Sequence, residues 1–117
     1  MAIGEQLFGV HGAALAIRSQ RLGLLASNIA NAATPNYKAK DLDFTKALDA
    51  ATKGLSTDSA VEGATGYRIP NETSLDGNTV ELSTEQTKFA ENAVQYRTTL
   101  SFLEGRIATV MQALRGE

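Results

Sequence analysis

The clearest pattern in the chain lies toward its C-terminal end. Phe89, Ala93, Tyr96, Leu100, Leu103, Ile107, Val110 and Leu114 follow alternating steps of four and three residues. Those steps trace the a and d positions of a heptad, the seam along which one α-helix packs on another. A helix from Thr84 to Leu114 would be about 45 Å long at a rise of ~1.5 Å per residue. Ser83 with Gln86 predicts a capping box at its start. Gly105 lies inside the helix, costs about 1 kcal/mol relative to Ala, and points to close helix approach.

The segment from about Ile3 to Ala33 is also helical in pattern, but it carries several apolar stripes. Phe8, Leu15, Leu22 and Ile29 recur every seven residues, with Gly12, Ser19, Ala26 and Ala33 between them. Val10, Ala14, Ile17 and Leu24 make a second row, and Ala13, Ala16, Gly23 and Ala30 a third. Leu25 adds to this apolar surface. A two-helix hairpin covers one stripe of each partner, so a helix apolar on several sides needs further cover. No third long helix is predicted, and neighbouring subunits are the expected source.

Between the helices the pattern changes. Thr34-Pro35-Asn36-Tyr37 fits a β-turn: proline presets φ at the second position and Asn36 tolerates positive φ at the third. The first helix must stop at or before Thr34. A short helix is predicted over 43–52, with Asp43 as N-cap and Gly54 as its stop. From Lys53 to Asn78 the chain is rich in Gly, Ser, Thr, Asn and Asp, a loop or locally disordered composition. Asp76-Gly77-Asn78 is a turn signal, and the alternation of Val80 and Leu82 predicts a short extended piece before the last helix.

Composition narrows the function. The chain has 117 residues, a net charge of −2, 43% apolar and 6% aromatic residues, and no cysteine. The charge argues against a general nucleic-acid binder, and the missing cysteine excludes disulfides and thiolate metal sites. No apolar run approaches the roughly 18 residues of a membrane span. The N-terminus lacks the basic start, apolar run and small-residue cleavage site of a secretory signal, so export is expected only by a route that leaves the chain uncleaved.

Asn28 and Asn31 sit three apart on an otherwise apolar helix, where an amide competes for the backbone unless it has a partner. They serve either as intersubunit hydrogen-bonding groups or as the capped end of the helix within one chain. Arg18 and Arg21 have few acids nearby in sequence; they pair across subunits with Glu85, Glu91 or Glu104 of a neighbouring C-terminal helix, or stay solvated. His11, the single histidine, reads as a packed or polar helix residue. Asp41, Asp43 and Asp49 read as a cap and solvated charges, with no base or nucleophile beside them. Tyr37 and Phe44 are expected to anchor the loop onto the helices. No catalytic, metal-binding or cofactor-binding constellation is predicted.

Three blocks carry a family resemblance. The first runs from Ala16-Ile17-Arg18-Ser19-Gln20-Arg21 into Leu25-Ala26-Ser27-Asn28-Ile29-Ala30-Asn31-Ala32. The second is Thr34-Pro35-Asn36-Tyr37-Lys38-Ala39-Lys40-Asp41-Leu42-Asp43-Phe44. The third is Tyr67-Arg68-Ile69-Pro70 with Ser74-Leu75-Asp76-Gly77-Asn78-Thr79-Val80-Glu81-Leu82, feeding the helix that holds Asn92 and Tyr96. From about Ala14 to Leu114 the chain resembles the bacterial flagellar rod and hook axial proteins, and within them the proximal rod subunits. Asn36 stands where that family often has Gly, and both residues allow positive φ.

The resemblance implies a structural subunit of the flagellar basal-body rod. Such proteins polymerise through their terminal helices, transmit motor rotation, and leave the cytoplasm uncleaved through the flagellar type III export apparatus to form the periplasmic rod. Implied partners are further copies, the rod protein FlgC and the adaptor FliE, with no nucleic acid and no small-molecule substrate. The Phe44-to-Leu48 stretch is similar to the short apolar signals of early export substrates, although core packing explains it more simply. A soluble helical adaptor or chaperone of the export system, or a related subunit such as FlgC, is the rival reading. Pattern and resemblance together give a mainly α fold. Terminal helices over 1–33 and 83–117 form one inner domain as an antiparallel coiled-coil-like pair, around a loop-rich middle over 34–82 with a short extended segment. The residues expected to serve packing and assembly are Phe8, Leu15, Leu22, Leu25, Asn28, Ile29 and Asn31 on the first helix. On the last they are Phe89, Tyr96, Leu100, Leu103, Ile107, Val110 and Leu114. Pro35, Asn36, Asp76 and Gly77 are the turn residues.

Overall fold

The computed structural model describes residues 3–116, with side chains described from Gly9 onward. Its elements are α1 (Ile3–Ala30), β1 (Lys40–Leu42), α2 (Phe44–Thr52), α3 (Thr57–Ala64), β2 (Thr65–Tyr67) and α4 (Leu82–Arg115). They pair in nested order, like brackets: α1 on α4, β1 on β2, α2 on α3. The molecule extends 64 × 25 × 18 Å with a radius of gyration of 17.4 Å, against about 13 Å for a compact domain of this length. The two long helices set that shape.

They run antiparallel in one register. His11 stacks against Phe102, Arg18 reaches Gln95, and Asn28 reaches Glu85. Each step forward along α1 is matched by an equal step back along α4. The buried positions of α4 are Glu85, Asn92 and Leu103, two of them polar, so hydrogen bonds as well as apolar contacts hold this seam. The apolar core lies elsewhere on α1. Ile17 packs with Leu42, Ala47, Val61 and Ala64, surrounded by Leu24, Phe44, Leu48 and Ala51. The middle of the chain is thus folded against the first helix.

Local chemistry explains the boundaries. The α1 helix ends at Ala30 and is followed by turns, with Thr34 N–H donating to the Asn31 carbonyl at 3.0 Å. Asp43 caps α2 through its carboxylate, which accepts from Lys46 N–H at 3.1 Å. Ser56 caps α3 in the same way, accepting from Ser59 N–H at 3.2 Å. The α4 helix starts at Leu82 behind Glu81 and has no side-chain cap, so Ser83 and Gln86 form no capping box there. Gly116, at φ 75°, closes its other end in the left-handed conformation that glycine adopts without steric penalty.

The stretch from Lys53 to Asn78 is more ordered than its composition suggests, since α3 and β2 both lie within it. Its buried face is made of Ala60, Val61 and Ala64, residues too small to give a strong apolar signal. The extended backbone is found at β1 and β2, which pair antiparallel as Lys40 with Tyr67, Asp41 with Gly66 and Leu42 with Thr65. Val80 and Leu82 form no strand.

A candidate assembly surface and the charged junction behind it

Where β1, α1 and α4 meet, a buried polar junction fixes the middle of the chain to the long helices. Asn28, 1% exposed, uses its whole amide. Its Nδ2 donates to the Lys40 carbonyl at 2.7 Å and to Glu85 Oε2 at 2.9 Å. Its Oδ1 accepts from Lys40 N–H at 3.1 Å and from the Tyr37 hydroxyl at 3.3 Å. The partners of this asparagine are therefore within the chain. Asn31 is likewise engaged internally, donating to the Ser27 carbonyl at 2.8 Å and accepting from the Thr34 hydroxyl at 3.1 Å.

Glu85 is fully buried, and its second oxygen accepts from Arg68 Nη1. Arg68 also donates from Nη2 to Asp41 Oδ2 at 2.6 Å. Arg21 grips the same carboxylate with two bonds, Nε to Oδ1 at 2.8 Å and Nη2 to Oδ2 at 2.9 Å. Two cations and two anions alternate along this row, which is how buried charge is tolerated. Burial pushes the Asp41 carboxyl up, but hydrogen bonds from Arg21, Leu42 N–H and Arg68, with the Arg21 charge, outweigh it and hold the group below its ordinary value. The bond to Asp41 raises Arg21 in turn.

These contacts correct two sequence expectations. Arg21 pairs within the chain, and Asp41 is a bridge between two arginines where a solvated charge was expected. Arg18 lies over the Phe44 ring, 3.9 Å from its centroid, and donates to Gln95 Oε1 at 2.9 Å. Its main-chain carbonyl accepts from Asn92 Nδ2 at 2.8 Å. Burial and the charge of Arg21 both lower the Arg18 pKa. Sequence reasoning flagged Asn28 and named Glu85 only as a partner for Arg18 or Arg21, and it missed the roles of Arg68 and Asn78. The pairing of Glu85 with Asn28 spans 57 residues, and no local spacing announces it.

The two predicted turns dock on each other. Asn36, at φ 65°, donates its N–H to the Asp76 carbonyl at 2.8 Å, and Thr79 N–H donates to the Tyr37 carbonyl at 2.9 Å. Pro35 and Asp76 are exposed at the surface of this pair of turns. Gly77 has φ 76°, and a Cβ there would stand 2.6 Å from Asn36 Oδ1. The buried Asn78 sends its amide to the carbonyls of Asn31, Ala32 and Thr34 at 2.9, 3.1 and 2.7 Å. It ties together the carbonyls of the turns that follow α1, acceptors that need a partner when buried.

The remaining candidate residues form a gradient of exposure. Leu25 is fully buried, and Leu15, Leu22 and Ile29 are half-buried. The side chain of Phe8 lies outside the described residues. On α4, Phe89, Tyr96 and Leu100 are half-buried and Leu103 is buried. Past Leu103 the cover ends. Ile107 is 45% exposed and Leu114 78%, Met111 is exposed as well, and Val110 is half-buried. Phe102, 53% exposed, lies on another side of α4, against His11. A groove of about 500 Å³ on the Phe102 side of α4 is lined by Ser101, Phe102, Gly105, Arg106, Thr109 and Val110. Among the described residues, no group of three or more His, Cys, Asp or Glu side chains could hold a metal ion, and no helix is long and apolar enough to cross a membrane.

The geometry defines a class: an elongated antiparallel two-helix protein, clamped near its turn end and carrying an uncovered apolar stripe at the other. Residues 8–38 match the family model for flagella basal body rod protein. The flagellar basal body rod protein FlgB of Cereibacter sphaeroides (strain ATCC 17029 / ATH 2.4.9) is 48% identical, over 93% of this chain and 94% of its own length. FlgB of Aeromonas hydrophila is 40% identical over 100% and 99%, and FlgB of Escherichia coli K12 is 40% identical over 87% and 88%. The chain belongs to the FlgB family of flagellar basal body rod proteins.

Proposed function

We propose that this chain is a non-enzymatic axial subunit of the flagellar basal-body rod, that it polymerises through its terminal helices, and that the polymer transmits motor rotation. The observation that carries the reading is the end of α4, where Ile107, Met111 and Leu114 face water. Apolar side chains spaced along one exposed helix mark a surface for another protein. The buried junction supports the mechanical part of the proposal. It fastens α1, β1 and α4 together with charge-assisted bonds, so that a load on one long helix is shared by the other.

Further copies, the rod protein FlgC and the adaptor FliE are the partners that this reading assigns to the stripe, with delivery through the flagellar type III apparatus without cleavage. The double variant Ile107→Lys, Leu114→Lys tests it. Both residues are exposed in the isolated chain, so the melting temperature should stay within about 2 °C of the parent, as for ordinary surface changes. Incorporation into purified basal bodies, read by immunoblot and electron microscopy, and swimming in soft agar should fall at least tenfold. Normal incorporation and normal swimming would overturn the proposal.

A further inference from the structure

The two-stranded sheet has one closed edge and one open edge. Successive residues of a strand turn their backbone groups to opposite sides. Arg68 N–H donates to the Ala39 carbonyl at 2.9 Å and Asp43 N–H to the Ala64 carbonyl at 3.0 Å, both across the strand pair. With Lys40 beside Tyr67 and Leu42 beside Thr65, that alternation turns Lys40 and Leu42 outward on β1, and Thr65 and Tyr67 outward on β2. On β1 the outward groups are taken. Lys40 N–H donates to Asn28 Oδ1 at 3.1 Å, and its carbonyl accepts from Asn28 Nδ2 at 2.7 Å. Leu42 N–H donates to Asp41 Oδ1 at 2.7 Å.

On β2 they are not. Among the described residues, nothing hydrogen-bonds the backbone of Tyr67 or Ile69. Ile69 precedes Pro70, which keeps it extended, so the open row runs from the Thr65 carbonyl through Tyr67 to Ile69. The β2 strand packs chiefly on β1, while β1 lies on α1. Tyr67 is 69% exposed and Ile69 88%. Natural sheet edges are blunted by charged side chains or by a covering element. This row has no cover and no charge of its own; the ammonium beside it, Lys40 at 5.3 Å from the Tyr67 ring centroid, belongs to β1.

We propose that this edge pairs with the same edge of a second copy of the chain. With Tyr67 of one copy opposite Tyr67 of the other, the two strands run antiparallel about a two-fold axis. The two Tyr67 residues exchange both of their N–H to carbonyl bonds, and each Ile69 N–H meets the other copy's Thr65 carbonyl. The product is a four-stranded sheet in the order β1-β2-β2-β1. Both of its outer edges are β1, each closed by Asn28 and Asp41. That closure selects a copy over an unrelated strand, which would bring a further open edge of its own. Four strands also exceed the two that are marginal by themselves. A row this short makes a small, weak interface. A two-fold contact closes on itself and does not extend into a filament, so the pairing is separate from the assembly surface on α4 and does not rest on it.

Sedimentation of the full chain over a concentration series tests the pairing. A weak dimer is expected by about 1 mM. Hydrogen exchange followed by NMR across the same series should show the Tyr67 and Ile69 amides slowing as concentration rises. The Arg68 amide, bonded to Ala39 within the chain, should not change. Tyr67→Pro removes an N–H that β1 does not use, a change that edge strands tolerate, and should weaken dimerisation about tenfold or more. Tyr67→Lys keeps the backbone and sets two ammonium groups opposite each other at an exposed position; it should weaken pairing to a similar degree even where the proline disturbs the fold. The Ile107→Lys, Leu114→Lys chain should dimerise as the parent does. A chain that stays single throughout the series, a dimer that survives Tyr67→Lys, or exchange at Tyr67 and Ile69 that ignores concentration would overturn the proposal. So would a dimer lost in the Ile107→Lys, Leu114→Lys chain, since the copies would then meet along α4.

Discussion

The chemistry of single residues decides how the middle of the chain stays on the helices. Asp41 is the test case, since its carboxylate sits between Arg21 and Arg68. Its pKa in the folded chain lies below the ordinary 3.8, so as pH falls the unfolded chain takes up the proton first. Its contribution to stability is therefore complete above about pH 5 and is lost as pH drops below 4 through the folded value. Asp41→Asn should remove that part of the acid dependence and cost roughly 2 kcal/mol at neutral pH, because the half-buried Arg21 loses its counter-charge and Arg68 keeps only Glu85. Urea melts of the two proteins between pH 3 and 7 would show it as curves that converge toward the acid end. Little of this was legible beforehand. Asn28 announces itself as an amide among Ala and Ile. Arg68 and Glu85 look like any surface charges until the turns bring them together.

Elements divide by how strongly their pattern shows. The long helices could be read because a 3.5-residue period repeats over many turns, and an apolar residue at each turn survives local noise. The α3 helix and both strands escaped, since three small buried residues or three-residue strands fall below any periodic signal. The turns were readable for a different reason, namely that positive φ demands particular residue types. Gly77 carries a prediction at this scale. Its φ of 76° and the 2.6 Å approach of Asn36 Oδ1 leave no room for a methyl group unless Asn36 moves. Gly77→Ala should destabilise the chain by about 1–3 kcal/mol, read as a lower urea midpoint with unchanged slope. A variant as stable as the parent would show that the two turns separate at little cost.

At the scale of the whole molecule, the nested pairing explains why an elongated shape of 64 Å holds together with a modest apolar core. Each layer of the nest brings one element from the first half of the chain onto one from the second. Fold class was legible at this level, whereas the placement of the core was not: the heptad seam drew attention to α4, while the fully buried Ile17 faces the middle segment. The nest also has a consequence for connectivity. The only covalent join between the halves runs through Lys53, Gly54, Leu55 and Ser56, all at the surface. Since register comes from the side chains and not from that link, severing the backbone there should leave two peptides that find each other and rebuild the same molecule. Helical circular dichroism greater in the mixture than the sum of the separate pieces would reveal the reunion.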